Sequence, residues 1–213
     1  MNRLTAAGLM IVACVLAASA RAGTFTLDGV TFSDEHGGVV LLDAYGSGRL
    51  GDPFVLIEEI SDIGRAIITI SGLTADFGNR IESHHRTGFA LTKIVRNATP
   101  RPWVGFDLEL QEVLGHNSTY YDGLSFGQAT EMGRPFVSDR YVEVREIIEP
   151  FDGVTFSGAR VAPGESVTVT VVVTDSTPTE RFYLVQKHGG PMVDRAPPGG
   201  EPVRLARLAP RRR

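Results

Sequence analysis

Alternating apolar and polar residues recur along residues 24–187 of this chain, and no long helical period interrupts them. The clearest run is 104–111, in which Val104, Phe106, Leu108 and Leu110 alternate with Gly105, Asp107, Glu109 and Gln111. This period of two predicts a strand with one face in the core and an acidic face in water. Residues 166–174 repeat the pattern, with Val167, Val169, Val171 and Val173 on one face and mostly threonine on the other.

The same criteria predict about ten antiparallel strands, separated by clusters of glycine, proline, aspartate and asparagine. The remaining candidates are 24–33, 39–45, 53–60, 65–71, 88–96, 140–148, 154–157 and 181–187. Many short strands joined by turns are typical of an all-β sandwich or barrel. We expect a jelly-roll-like β-sandwich, with a closed β-barrel as the alternative. Segments 58–66 and 128–135 could each form a helical turn without changing this class.

A short motif, D-G-[VL]-[ST]-F, occurs three times, beginning at Asp28, Asp122 and Asp152. An Asp-Gly turn that leads into a strand explains it, with Val or Leu and Phe on one face. The spacings are unequal, so the motif does not indicate a solenoid repeat. Aspartates at turns could also bind calcium, but turn formation already accounts for them.

The first 22 residues have the organisation of a secretory signal peptide. Met-Asn-Arg is followed by an uncharged run from Leu4 to Ala18 and then by small residues. Cleavage would fall before Arg21 or before Gly23. The run is shorter than the roughly 20 residues of a membrane anchor. The sequence therefore predicts an exported protein, secreted or periplasmic.

Cys14 is the only cysteine and lies in the apolar part of the signal. Ile11-Val12-Ala13 before it loosely resembles a lipoprotein box, so lipidation is an alternative. The apolar run continues to Ala18, however, which favours an ordinary signal. Removal of residues 1–22 would leave no cysteine for a disulfide, a thiolate metal site or a nucleophile.

Charge is divided between an acidic body and a basic end. Residues 23–194 hold 13 basic and 24 acidic side chains, whereas 195–213 hold six arginines and one glutamate. An acidic body argues against nucleic acid as a partner of the folded part. Residues 189–213 are rich in proline and glycine, so we expect domain 23–188 to be followed by a disordered tail. No membrane-spanning segment is expected after the signal.

Paired carboxylates are the best enzymatic candidate, because glycosidases use two acids beside the scissile bond. Asp107 and Glu109 share one face of a predicted strand, and Glu143 and Glu146 lie on another. The E-x-D-x-x-E strand signature of jelly-roll glucanases is absent, and alternating acids commonly serve only as a hydrated surface.

Other chemistry has weaker support in the sequence. His84 and His85 would point to opposite faces of a strand, and His36, His116 and His188 stand alone without a metal-binding spacing. No G-x-S-x-G elbow occurs. Trp103 and the Tyr120-Tyr121 pair could form a sugar-binding platform, although a single tryptophan at the start of an amphipathic strand more often belongs to the core. No catalytic, cofactor-binding or metal-binding residue is therefore predicted.

Residues 46–187 resemble a bacterial family of secreted β-domains, some of whose members carry a PEP-CTERM sorting tail. The matching segments are 52–55 (DPFV), 103–110 (WVGFDLEL), 123–126 (GLSF), 151–158 (FDGVTFSG) and 182–186 (FYLVQ). The resemblance implies an extracytoplasmic β-sandwich without assigned chemistry. The arginines at the end of this chain follow no apolar segment, in contrast to the sorted members.

These observations favour a non-enzymatic exported protein that binds a partner or has a structural role in the cell envelope or extracellular matrix. Two alternatives remain. One is a polysaccharide hydrolase that uses Asp107 or Glu109 with a second acid, and the other is a calcium-dependent carbohydrate-binding module. No cofactor is expected.

Overall fold

Two β-sheets packed face to face form the protein. The structure is a computed structural model that describes residues 23–127, 136–189 and 203–204. The expected all-β sandwich is confirmed, and neither sheet closes into a barrel within these ranges. The interior between the sheets is one large apolar cluster contributed by both.

Fourteen strands and one short helix are present in the described residues. The strands are β1 (Thr24–Leu27), β2 (Val30–Ser33), β3 (Val39–Tyr45), β4 (Phe54–Ile60), β5 (Ala66–Ser71), β6 (Thr87–Asn97), β7 (Trp103–Gln111), β8 (Leu124–Phe126), β9 (Val137–Ser138), β10 (Glu143–Ile147), β11 (Gly153–Val161), β12 (Ser166–Asp175), β13 (Arg181–His188) and β14 (Val203–Arg204). A 3₁₀ turn covers Tyr120–Asp122.

The eight-stranded sheet has the order β1-β2-β5-β13-β7-β11-β10-β14, and the other sheet has the order β3-β4-β6-β12-β8, with β9 also on β12. The expectation of purely antiparallel pairing is wrong at one place, because β4 and β6 run parallel. Between them the chain passes through β5 in the opposite sheet and returns, so β6 enters in the direction of β4. A parallel pair requires such a crossover.

Strand β12 shows why the period of two predicts the core so well here. Its four alternating valines are fully buried between the sheets. The strand pairs with β6 along its whole length, from Ser166 to Asp175. Burial of each valine side chain contributes about 1.5–3 kcal/mol to the free energy of folding. Strand β12 therefore contributes much of the stability of the sandwich.

The first predicted strand, 24–33, is in fact a hairpin. It turns at Asp28 and Gly29, whose φ angles are 47° and 89°. Two consecutive positive φ values are those of the tight turn that Asp-Gly favours. In all three copies of the motif the apolar pair is buried, as predicted: Val30 and Phe32, Leu124 and Phe126, Val154 and Phe156.

Other boundaries correct the expectations. The helical turn considered for 58–66 is wrong, since 58–60 end β4, 61–65 form an irregular loop and Ala66 begins β5. The short strand β8 follows the second copy of the motif, whereas β9 and β14 were not predicted. The second helical turn, at 128–135, lies outside the described residues. Of the segment 189–213, Gly189 and Val203–Arg204 are described, and the latter pair with β10.

One corner joins the two sheets through a buried carboxylate. Asp34 Oδ1 accepts a hydrogen bond from the Gly23 amide at 2.7 Å, and its Oδ2 accepts one from the Leu41 amide at 2.8 Å. Leu41 lies on edge strand β3, where a bulge leaves Leu42 without a partner on β4. Asp34 thus fixes the start of β1 against β3.

Candidate functional site

A polar cavity of about 140 Å³ lies on the outer face of the eight-stranded sheet. Strands β7 and β13 form its floor, and loops 112–119 and 148–152 form its walls. The lining residues are Arg65, Glu109, Gln111, Gly115, Asn117, Pro150, Phe151 and Lys187. Charged groups of both signs therefore converge on a small space.

Glu109 is the centre of the cavity's hydrogen bonds. Its Oε2 accepts a bond from Lys187 Nζ at 3.0 Å, and its Oε1 accepts one from Gln111 Nε2 at 2.6 Å. Gln111 Oε1 in turn accepts a bond from the Gly115 amide at 2.8 Å. Gln111 therefore connects the carboxylate to the loop above it, and the Glu109 carboxylate is neutralised by an adjacent ammonium.

The expected hydrated acidic face of β7 is wrong. Asp107 is 1% exposed and Glu109 4% exposed, whereas Val104, predicted to be in the core, is 50% exposed. Loops anchored on this sheet cover its outer face: Ser118 O accepts a bond from the Asp152 amide at 3.0 Å. A period of two marks the two faces of a strand, but it carries no information on loops that fold over one of them.

Asp107 lies beside the cavity but does not line it. In the register of the sheet, Asp107 lies opposite Lys187 of β13 and opposite Thr155 of β11. Burial raises the pKa of Tyr141, and the negative charge of Asp107 adds to the effect. In the part of the chain that the structure describes, Tyr141 Oη and Thr155 Oγ1 are buried without a hydrogen-bond partner. The two acids proposed for hydrolysis therefore occupy different environments.

Glu143 and Glu146 do not join these acids. Neither lines the cavity, and an odd separation on β10 places them on opposite faces of the strand. Glu143 Oε2 accepts a bond from Ser157 Oγ at 3.3 Å across the ladder. The structure thus gives the cavity one carboxylate, Glu109, of the four candidates.

The histidines do not assemble a metal site. In 23–127 and 136–189, no group of three His, Cys, Asp or Glu side chains could hold a metal ion. His84 and His85 lie in the loop before β6, and burial lowers the pKa of His85 although Asp175 opposes the shift. His188 stacks on Trp103 with ring centroids 4.6 Å apart.

Trp103 lies in the core and cannot serve as an exposed sugar-binding platform. The indole is fully buried and donates from Nε1 to Thr99 Oγ1 at 3.2 Å. Tyr121 is 89% exposed at the 3₁₀ turn. The interpretation of Trp103 as a core residue is the one that the structure supports.

A second group of acids surrounds the turn that leads into β11. Burial raises the pKa of Asp152 to about 8, and the charges of Asp122 and Glu149 add to the shift. Asp152 is 1% exposed, and its Oδ2 has no hydrogen-bond partner among the described residues. The aspartate of this motif is therefore a buried acid, unlike the exposed Asp28 in the β1–β2 hairpin.

Sequence reasoning missed Lys187, Gln111 and Arg65 as cavity residues. A usable signal existed for the first of these. Lys187 is one of two lysines in a chain with nineteen arginines, and each lysine donates a hydrogen bond to a glutamate in the folded protein. Arg65 carried no comparable signal, because a loop residue reaches the cavity only through the tertiary fold.

Comparisons with known proteins give no relative: no family model, no curated protein and no solved structure matches the chain. Within the described residues, no helix has the length and apolar character needed to cross a membrane.

Proposed function

We propose that this chain is an exported, non-enzymatic β-sandwich that binds a polar ligand, with a role in the cell envelope or extracellular matrix. The cavity over Glu109 carries this proposal. It offers a carboxylate, an ammonium, a guanidinium and two amides in one place. A few convergent polar groups in a concave site are the usual signature of ligand recognition.

The charges in the cavity favour binding over proton transfer. Lys187 holds one oxygen of the Glu109 carboxylate in an ion pair, and Gln111 donates a hydrogen bond to the other. Glycosidases need a second carboxyl group that faces the same space, and Asp107 does not line the cavity. Glu109 is therefore suited to accept hydrogen bonds from a ligand.

The size of the cavity indicates the scale of the ligand. Pockets for drug-sized ligands have volumes of roughly 300–1,000 Å³, and this cavity, at about 140 Å³, is less than half as large as the smallest of them. The cavity fits one hydroxyl-rich unit, such as a single sugar residue at the end of a longer glycan. A carbohydrate of the envelope or matrix is thus the ligand class we propose.

The signal-like segment 1–22 supports export, and the environment of Gly23 favours the second of its two possible cleavage positions. The nitrogen of Gly23 lies 2.7 Å from Asp34 Oδ1, and Asp34 is 6% exposed. Cleavage before Gly23 would turn this nitrogen into an ammonium that pairs with the carboxylate, a stronger bond than the neutral one. Cleavage before Arg21 would not. N-terminal sequencing of the exported protein should begin at Gly23.

Glycan-array binding followed by calorimetry on the positive glycans tests the proposed function. Arg65→Ala should weaken binding at least about tenfold, since a charged hydrogen bond is worth about 1.5–3 kcal/mol. Arg96→Ala is the matched control, because Arg96 is also an exposed arginine but pairs with Glu59 on the other sheet. An array without any bound glycan, or equal losses in the two variants, would contradict the proposal.

The hydrolase alternative is tested with the same glycans. Turnover that Glu109→Gln abolishes would overturn the non-enzymatic assignment. Asp107→Asn then reports whether the neighbouring acid takes part.

A further inference from the structure

Lys93 lies in the interior of the sandwich, where lysine is rarely found. It is fully buried on β6, between Leu56 of β4 and Val169 of β12. Its Nζ donates a hydrogen bond to Glu58 Oε2 at 2.7 Å, and Glu58 is fully buried too.

A third polar side chain reaches this pair from the opposite sheet. Gln186 of β13 is fully buried, and its Nε2 lies 3.5 Å from the same oxygen, Glu58 Oε2. The other oxygens, Glu58 Oε1 and Gln186 Oε1, have no hydrogen-bond partner in the described part of the chain. One carboxylate oxygen therefore bridges an amine and a primary amide.

This arrangement is a poor way to stabilise a core. Removal of two charges from water costs several kcal/mol per ion, and the cost is recovered only when the remaining polar atoms are well bonded. Two oxygens of this group are not. The three side chains therefore need an explanation other than their mutual attraction.

Burial pushes both ionisable groups toward their neutral forms. It raises the pKa of Glu58 and lowers the pKa of Lys93, although each charge opposes the shift of the other. A neutral amine is the nucleophilic form of lysine. A protonated carboxyl group beside an amide nitrogen can donate the proton with which that nitrogen leaves.

We propose that Lys93 and Gln186 form an intramolecular isopeptide bond, with Glu58 as the proton-transfer group. Lys93 Nζ attacks Gln186 Cδ, and the Glu58 carboxyl group, whose Oε2 lies beside Nε2, gives its proton to that nitrogen. The carbonyl re-forms as the Cδ–Nε2 bond breaks, and Nε2 leaves as ammonia. The Glu58 carboxylate then takes the extra proton from Nζ, so the product is a secondary amide and Glu58 is regenerated. No oxidant or cofactor is consumed.

The bond would join β6 of one sheet to β13 of the other. Such a link restricts the unfolded chain as a disulfide does, and the sequence contains no cysteine beyond Cys14. An exported domain of this composition would thereby gain a covalent cross-link through its core that reducing agents cannot break.

Intact-mass measurement of the exported protein under denaturing conditions tests the proposal. The expected mass is below that of the sequence by one ammonia molecule. A tryptic map should show no cleavage after Lys93 and one branched species that contains Lys93 and Gln186. The full sequence mass would overturn the proposal. Loss of one water, with a branch between Lys93 and Glu58, would overturn it as well.

Variants separate this bond from ammonia loss elsewhere in the chain. Lys93→Met should restore the full mass, and Glu58→Gln should do so in protein whose circular dichroism remains that of a β-sandwich. Lys187→Met is the matched control, because it removes the other paired lysine and should keep the ammonia deficit. A deficit that persists in Lys93→Met would overturn the assignment. Where a variant does not fold, the tryptic map of the protein without substitutions is the deciding measurement.

Discussion

Asp152 shows how one buried side chain makes the stability of the protein depend on pH. Its pKa is about 8 in the folded protein and near 3.8 in an unfolded chain, chiefly because burial disfavours the charge. Between these values the folded state keeps a proton that the unfolded state releases. The contribution of Asp152 to the free energy of unfolding is therefore fully present below about pH 4, falls as the pH rises and is lost above about pH 8.

Asp152→Asn should remove much of this pH dependence. Asparagine cannot ionise, so the variant should be more stable than the parent at pH 8 by a few kcal/mol, since each pH unit between the two pKa values is worth about 1.4 kcal/mol. Urea unfolding at pH 5 and pH 8 measures the difference. Glu58, Glu112 and Asp175 also have raised pKa values, so a smaller slope should remain.

Asp28→Asn is the control for this prediction. It changes the aspartate of the same motif at the exposed hairpin. An equal change of slope in Asp28→Asn would contradict the assignment to Asp152.

At the scale of the element, the sequence predicts strand β12 well and the positions of the loops poorly. The alternation of apolar and polar residues in β12 predicts both its boundaries and its buried face. Loops 112–119 and 148–152 have no repeating pattern of this kind. Their position over β7 depends on bonds such as that of Gln111 to Gly115, and these form only after the sheet exists. The cavity therefore could not be predicted from the sequence, although its central residue, Glu109, was one of the candidate acids.

Val171→Ala should destabilise the protein by about 2–3 kcal/mol, because it removes buried carbon from the middle of β12 and leaves a cavity. Thr168→Ala is the control on the same strand, since Thr168 is half-buried on the other face. We expect a cost of at most about 0.5 kcal/mol there. Equal shifts of the urea midpoint would show that the core lies elsewhere.

Substitution of Gly38 and of Gly29 distinguishes the cost of a left-handed backbone from the cost of a steric clash. Both have positive φ, 80° and 89°, but a Cβ on Gly38 would lie 2.2 Å from the Arg65 carbonyl oxygen, whereas nothing lies within 4 Å of one on Gly29. Gly29→Ala should cost about 1–2 kcal/mol through the left-handed backbone alone. Gly38→Ala should cost at least about 2 kcal/mol more, as urea unfolding of the two variants will measure. Equal costs would contradict the close approach.

At the scale of the molecule, the two groups of buried charged and polar side chains lie on opposite faces of the eight-stranded sheet. The outer face of the eight-stranded sheet carries the Glu109 cavity, and its inner face carries Gln186 against Glu58 and Lys93. Strand β13 supplies a residue to each, Lys187 outside and Gln186 inside. A sequence can place neighbouring residues on opposite faces, but only the packing of the second sheet reveals that Gln186 meets a glutamate.

The link that Asp34 makes at the corner bears on how copies of the protein behave in concentrated solution. Strand β3 is an edge, and its exposed side chains include Val40 and Leu42. An open edge of this kind can recruit a strand from another molecule and start aggregation. Here the Leu41 amide is occupied by Asp34 and the bulge at Leu42 breaks the ladder, so an incoming strand would find no continuous row of partners. Asp34→Ala should therefore raise light scattering with concentration, and unchanged scattering in a folded variant would show that the bulge alone is sufficient protection.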